Sequence, residues 1–309
     1  MSSWQRSCNS WIGPIGLFLL SACGGDGGGS EDTDSTATGP FLQVAAGEDA
    51  SCAVRRDRSI VCWGDHDWGY DGDEPPSSGE FEFVGVGQCH ACALATNGSV
   101  TCWGHNQLMV TVVNQDESPA GVFKQLSVGA YHNCGVLEDQ SVYCWGSNLA
   151  GNDPNAGQAD PPSGGFLQVS AGSGHSCGVR TDSTISCWGA IGGTSPVGVF
   201  AAVTSGTGDS CALRDDGSVV CWFGSQVEDV EGTYSFVDAG YGGQCGVHLD
   251  GSVECWGLDT HSSNTLGEVG EGDFSSISVG SYFACGLHID GTIGCWGRDD
   301  AGETIAPSE

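Results

Sequence analysis

Two cysteines ten residues apart, the second followed by tryptophan, occur seven times in this chain of 309 residues. The pairs are Cys52/Cys62, Cys92/Cys102, Cys134/Cys144, Cys177/Cys187, Cys211/Cys221, Cys245/Cys255 and Cys285/Cys295. Fixed internal spacing at a period of tens of residues is the mark of one supersecondary unit copied in tandem. Each copy opens on an aromatic residue: Phe41, Phe81, Phe123, Phe166, Phe200, Tyr234 or Phe274. A glycine follows six residues later, and the first Cys lies five residues beyond that glycine. The copies start 40, 42, 43, 34, 34 and 40 residues apart. All variation in length therefore falls between one Trp and the next aromatic.

The segment between the cysteines reads as a β-hairpin. Asp or Asn sits five residues past the first Cys, and Gly follows it in four copies (Gly98, Gly217, Gly251, Gly291). A three-residue loop ending in that Gly suits a type I turn with a G1 bulge. It pairs Val54 with Ile60, Leu94 with Val100, Val136 with Val142, and their counterparts in the other copies. All of these are apolar, and a one-residue slip would expose them. The same register sets the two cysteines opposite each other, with Cα atoms ~4.5–5.5 Å apart, which is disulfide range. Seven hairpin disulfides are expected. The alternative is seven pairs of reduced, buried cysteines packing as small hydrophobes, and the export signal described below argues against it. Zinc would call for much closer ligand spacing.

The stretches Ala130 to Asn148, Gly206 to Trp222 and Gly280 to Gly297 each resemble one repeat of the regulator of chromosome condensation family. The resemblance covers residues 41–309 and implies an all-β, seven-bladed β-propeller of that type. The tail from Trp296 to Glu303 resembles the family's Trp-Gly-x-Asn-x-x-Gly-Gln ending, with Asp299 and Glu303 in place of the two amides. It is expected to complete the first blade and close the ring, which removes exposed sheet edges. The cysteines depart from the eukaryotic pattern and point to an exported variant.

Residues 1–22 read as a signal segment. Arg6 precedes a largely apolar run from Trp11 to Leu20, too short to span a bilayer and suited to a signal h-region. Leu20-Ser21-Ala22-Cys23 resembles a bacterial lipobox, which would make Cys23 the lipidated first residue of the mature protein. An ordinary signal peptide cut nearby is the alternative. Residues 23–40 form a Gly/Ser/Asp/Thr tether of flexible composition. Gly24 rather than Asp after the lipid site favours the outer membrane or cell surface. Cys8 leaves with the signal, and Cys89 remains as a free thiol or as an alternative partner for Cys92.

Eight Lys and Arg against 39 Asp and Glu give a formal net charge of −31. Nucleic-acid binding needs cations to neutralise phosphates, so it is excluded as a function class. The membrane is reached through the N-terminal lipid alone. The acidic insertion around Asp65, Asp67, Asp71 and Asp73 offers calcium-type oxygens. It lacks an EF-hand pattern, so a solvated loop is the preferred reading and no cofactor is expected. Glu228-Asp229-Val230-Glu231 reads as surface. Two residues before each first Cys stand Ala50, His90, His132, His175, Asp209, Gly243 and Phe283. The three imidazoles read as turn-capping groups, because equivalent positions on adjacent blades are too far apart for one metal ion. The tryptophans read as packing groups, although some plant relatives in the family use theirs to sense light.

No Gly-x-Ser-x-Gly elbow, P-loop, HExxH or dinucleotide fingerprint is present. The expected function is a monomeric, non-enzymatic scaffold for a protein partner. A carbohydrate- or calcium-dependent surface adhesin is the alternative. Guanine-nucleotide exchange, which the eukaryotic namesake implies, conflicts with export.

Overall fold

A computed structural model describes residues 39–65, 74–104, 107–108, 111–112, 119–149, 155–191, 194–241, 243–257, 266 and 269–308. These residues form an all-β, seven-bladed propeller. Six blades are three-stranded antiparallel sheets and the fifth has four strands. A separate two-stranded ribbon pairs Gln107–Leu108 with Thr111–Val112. Cys23, Asp67, Asp71 and Asp73 lie outside the described residues.

Each blade follows the repeat. The inner strands are Phe41–Ala46, Phe81–Val86, Phe123–Val128, Phe166–Ala171, Ala202–Ser205, Tyr234–Ala239 and Phe274–Val279. The middle strand of each blade carries the first Cys and the outer strand carries the second Cys and the Trp. The hairpin register is the expected one: Val54 faces Ile60, Val136 faces Val142 and Leu287 faces Ile293.

That register sets every first cysteine against its second, and all seven pairs are bonded. The disulfides are Cys52–Cys62, Cys92–Cys102, Cys134–Cys144, Cys177–Cys187, Cys211–Cys221, Cys245–Cys255 and Cys285–Cys295. Their Cα atoms stand 4.0 Å apart, closer than the spacing expected from a generic opposed pair. The two sulfurs of a bridge differ in surroundings. Every first cysteine is fully buried. Of the second cysteines only Cys221 is, because the fourth strand of its blade covers it. Cys62, Cys102, Cys144, Cys187, Cys255 and Cys295 lie on three-stranded blades' outer strands and are half-buried. The picture of uniformly buried cysteines therefore holds for the middle strands and for Cys221 alone. Cys89 is free and half-buried, and Cys92 is bonded to Cys102 rather than to it.

The turns explain the Asp or Asn in every copy. The Asp57 carboxylate accepts the Ser59 backbone N–H at 3.0 Å and its hydroxyl at 2.6 Å. The six other copies make the same pair of bonds. The next residue is left-handed throughout. Gly98 has φ 80°, but Arg58 (67°), Gln140 (70°) and Ser183 (66°) hold the same conformation with a side chain.

The core lies between neighbouring blades rather than inside any one of them. Cys52, Val54 and Ile60 of the first blade pack with Phe81, Val84 and Trp103 of the second. The seam between last and first blades is built alike, from Phe283, Cys285 and Leu287 against Phe41, Val44 and Trp63. Within a blade the opening aromatic meets its own Trp, as in Phe166 and Trp188 at 5.9 Å. Phe166 is fully buried, and such burial contributes ~1.5–3 kcal/mol per side chain.

Two details go beyond the repeat pattern. The tail does not add a strand to the first blade. It docks instead: the Glu303 carbonyl accepts the Trp63 indole N–H at 2.9 Å and the Ser51 hydroxyl at 3.2 Å. Gln158 does the same for Trp188 and Ser176 of the fourth blade. One carbonyl thus satisfies two buried donors without requiring an extended segment. Second, the cluster Glu228 to Glu231 lies at the surface as expected, and Glu228 to Val230 belong to a strand. Gln226–Val230 is a fourth, exposed strand of the fifth blade, joined through the tight turn at Gly224 (φ 57°). That turn makes Phe223 face Gln226 and Trp222 face Val227, a short hairpin connection.

Candidate functional site

The inner strands enclose a central channel with a cavity of about 410 Å³. Three sets of inter-blade bonds hold its wall. One set uses the residue four past the opening aromatic in five blades. Ser127, Ser170, Thr204 and Ser278 accept the backbone N–H of Ala171, Ser205, Ala239 and Ala46 on the next blade, at 2.9–3.1 Å. Asp238 fills this place in the sixth blade, accepting from the Val279 N–H at 2.8 Å and the Thr204 hydroxyl at 2.9 Å. Its carboxyl lines the channel and is half-buried, and desolvation pushes its pKa up to about 6.

A second set is made by glutamines. The Gln43 side chain accepts from the Val84 N–H at 3.1 Å and donates to its carbonyl at 2.9 Å. Gln125 and Gln168 do the same to Val169 and Val203. The third set answers the question of the histidines. His90, His132 and His175 bond through Nε2 to Asn133, Ser176 and Ser210 at 2.7–2.8 Å. They are structural, but they strut the next blade rather than cap a turn. Burial lowers their pKa to about 4, 3 and 4, so all three are neutral. Among the described residues no group of three His, Cys, Asp or Glu stands close enough to hold a metal ion. Asp65 is exposed just beyond the end of its outer strand.

One mouth of the channel is formed by the residues immediately after the repeat glycines. Glu48, Gln88, Tyr131, Tyr241 and Tyr282 line it, contributed by five different blades. The Gln88 side chain stands beside both the Glu48 carboxyl and the Tyr131 phenol, where it favours their charged forms. Burial raises the Glu48 pKa, opposed by the Gln88 bond. The Tyr282 and Tyr241 rings meet edge to face at 5.4 Å. Tyr241 is 58% exposed. Arg298 lies over the Tyr282 ring at 4.9 Å and pairs with Asp49 and, at 3.2 Å, with Glu303. Cys89 adjoins this mouth, where burial first and then Glu48 and Asp49 raise its thiol pKa. A thiol so placed is a poor nucleophile. An aromatic rim with placed polar groups around a cavity is the usual form of a binding site.

This mouth was not anticipated from sequence. The signal was present in the two positions after each repeat glycine, where Glu48, Gln88, Tyr131, Tyr241 and Tyr282 replace the small residues found at Ser173-Gly174 and Thr207-Gly208.

Comparison with known proteins agrees with this geometry. The family model described as the regulator of chromosome condensation repeat matches residues 41–67, 82–108, 123–152, 166–190 and 274–303. The chain is similar to the ectodomain of the Physcomitrella patens receptor kinase CR4, at 24% identity and TM-score 0.66, over 84% of this chain and 74% of that one. It is similar to the CRINKLY WD40 ectodomain of the Arabidopsis thaliana receptor kinase ACR4, at 24% identity and TM-score 0.65, over 86% of this chain and 97% of that one. Prp20p from Saccharomyces cerevisiae matches at 16% identity and TM-score 0.51, over 86% of this chain and 74% of that one. At these identities the likeness concerns the fold. No curated protein matches the chain. Five of the seven blades thus carry the repeat of the regulator of chromosome condensation family, and all seven are built on one pattern.

Proposed function

We propose that this protein is a non-enzymatic scaffold that binds a protein partner at the tyrosine-edged channel mouth. It is tethered to a bacterial cell envelope by lipid on Cys23, on the outer membrane or cell surface. The observation that carries the binding role is the mouth itself: a partly exposed aromatic rim standing on a closed ring. Exposed tyrosines supply contact area at small entropic cost, and interfaces are enriched in them. Yeast Prp20, on the same fold, has been solved with Kap60 bound, and the Prp20p structure is described with its binding to Gsp1p and histones. Fold alone does not transfer those partners.

The envelope location is supported by the lipobox-like Leu20 to Cys23 and by seven disulfides, which persist in oxidising compartments. Two experiments test the reading. Cys23→Ala should release the protein from the membrane fraction and abolish fatty-acid labelling. Unchanged fractionation and labelling would remove the tether. Cross-linking from a photoreactive group at position 241 on intact cells should yield one discrete protein adduct. A result with none, or with a ladder indistinguishable from a probe placed at exposed Val197, would remove the scaffold.

A further inference from the structure

The chemistry of the channel selects a partner. Its described lining includes two carboxyl groups, Glu48 at the mouth and Asp238 in the wall, and no Lys, Arg or His. Hydroxyl groups of Ser127, Ser170, Thr204 and Ser278 complete that wall. A cleft lined by one sign of charge focuses its field, and the whole chain adds a net charge of −31 behind it. The rim is aromatic, and aromatic faces attract ammonium and guanidinium groups. Arg298 displays this chemistry within the molecule, since its guanidinium already lies 4.9 Å from the Tyr282 ring centroid. That guanidinium is bonded to the Asp49 and Glu303 carboxylates; it bonds Glu48 at the backbone carbonyl and acts on the Glu48 carboxyl through charge alone. The Tyr241 ring is exposed at the opening, and the Glu48 carboxyl stands half-buried beside Gln88 just inside it.

We infer that the mouth receives one lysine or arginine side chain of the protein partner, its head group against Glu48 and Tyr241 and its alkyl stem between the tyrosines. This rests on the scaffold reading above and names the feature by which the partner is recognised. Lys and Arg combine a long apolar stem with a cationic tip, which matches a socket with an aromatic edge and an acidic interior. A partner protein is favoured over a free amine because the rim is spread over five blades and stands partly exposed. It offers a surface as well as a hole.

The test uses the full chain and three probes: the blocked peptide Gly-Gly-Lys-Gly-Gly, the same peptide with its lysine Nε acetylated, and butylammonium. Binding is followed by saturation-transfer NMR on the probe. The lysine peptide should bind at least about fivefold more tightly than its acetylated form, the scale of a cation–aromatic contact, and more tightly than butylammonium because its backbone also rests on the exposed rim. Glu48→Gln and Tyr241→Leu should each weaken it about fivefold, whereas Glu228→Gln on the exposed strand of the fifth blade should not. Weakening by Glu228→Gln equal to that by Glu48→Gln would mean attraction to the overall charge and would overturn the inference. Butylammonium binding as tightly as the peptide would overturn the assignment to a protein side chain. A cross-linked partner that is retained by both mouth variants would leave the scaffold standing and remove the socket.

Discussion

The backbone N–H of Ser281 in the last blade donates to the carbonyl of Gly47 in the first, at 2.9 Å. The same bond recurs between neighbours, from Ser173 to Gly206 at 3.1 Å and from Tyr241 to Gly280 at 3.2 Å. The repeat glycines form a circle in which each lies against the carbonyl of the next. A Cβ on Gly87 would meet the Gly129 oxygen at 2.5 Å, and one on Gly206 would meet Gly240 at 2.7 Å. A Cβ on Gly280 would overlap the Gly47 oxygen itself. Glycine is required here for closeness of approach, not for a left-handed backbone. Gly280→Ala is therefore expected to destabilise the ring by at least about 2 kcal/mol, as overpacking does. Urea unfolding would measure it, and an unchanged midpoint would mean that the seam yields at no cost.

The turns make the opposite case. Arg58, Gln140 and Ser183 occupy the left-handed position that glycine fills in the other four copies. A side chain there costs ~1–2 kcal/mol, and glycine returns part of it as unfolded-state entropy. Arg58→Gly, Gln140→Gly and Ser183→Gly should each raise stability by up to about 1 kcal/mol. Thermal unfolding of the triple variant is the most sensitive check, and a lower midpoint would refute the strain.

Acid should weaken the fold through its imidazoles. The folded pKa values of His90, His132 and His175 are about 4, 3 and 4, below the ordinary ~6.5. From pH 6.5 downwards the unfolded chain takes up protons that the folded chain refuses, so stability falls with pH towards about 4. Each histidine contributes up to about 1.4 kcal/mol per pH unit. Asp238 works the other way: its pKa of about 6 is raised, so its contribution is complete below pH ~4 and is lost as pH rises through 6. Three groups outweigh one. Denaturation midpoints should drop between pH 7 and 4.5, and His175→Gln should flatten that slope. A flat profile in the native chain would show that the imidazoles charge in place.

Removing one bridge, with Cys134→Ala and Cys144→Ala together, should cost about 2–3 kcal/mol for a loop this short. Peptide mapping without reduction should recover seven linkages, each joining cysteines of the same hairpin. A linkage between blades would contradict the fold.

What repeats in this chain could be read before any coordinates. The apolar pairs Val54/Ile60 and Val136/Val142 fixed register, and register put Cys52 against Cys62 and Cys134 against Cys144. What differs between copies stayed hidden. Asp238 holds a place that is Ser127, Ser170 or Thr204 elsewhere, and only the ring brings these onto one wall. Tyr131 and Tyr241 are 110 residues apart in sequence and face one opening because blades three and six share an axis. The docking of the tail was legible in its Trp-Gly-x-Asn-x-x-Gly-Gln-like ending, but not that the backbone carbonyl of Glu303 makes the bond.

Every sulfur bridge stays inside its own hairpin, ten residues from partner to partner. The correct mate for each thiol is therefore always its neighbour in the same hairpin, whatever the rest of the chain has done. A polypeptide emerging end first into an oxidising space can finish each blade's covalent chemistry before the following one arrives. The circle is then left to be shut by reversible contacts alone.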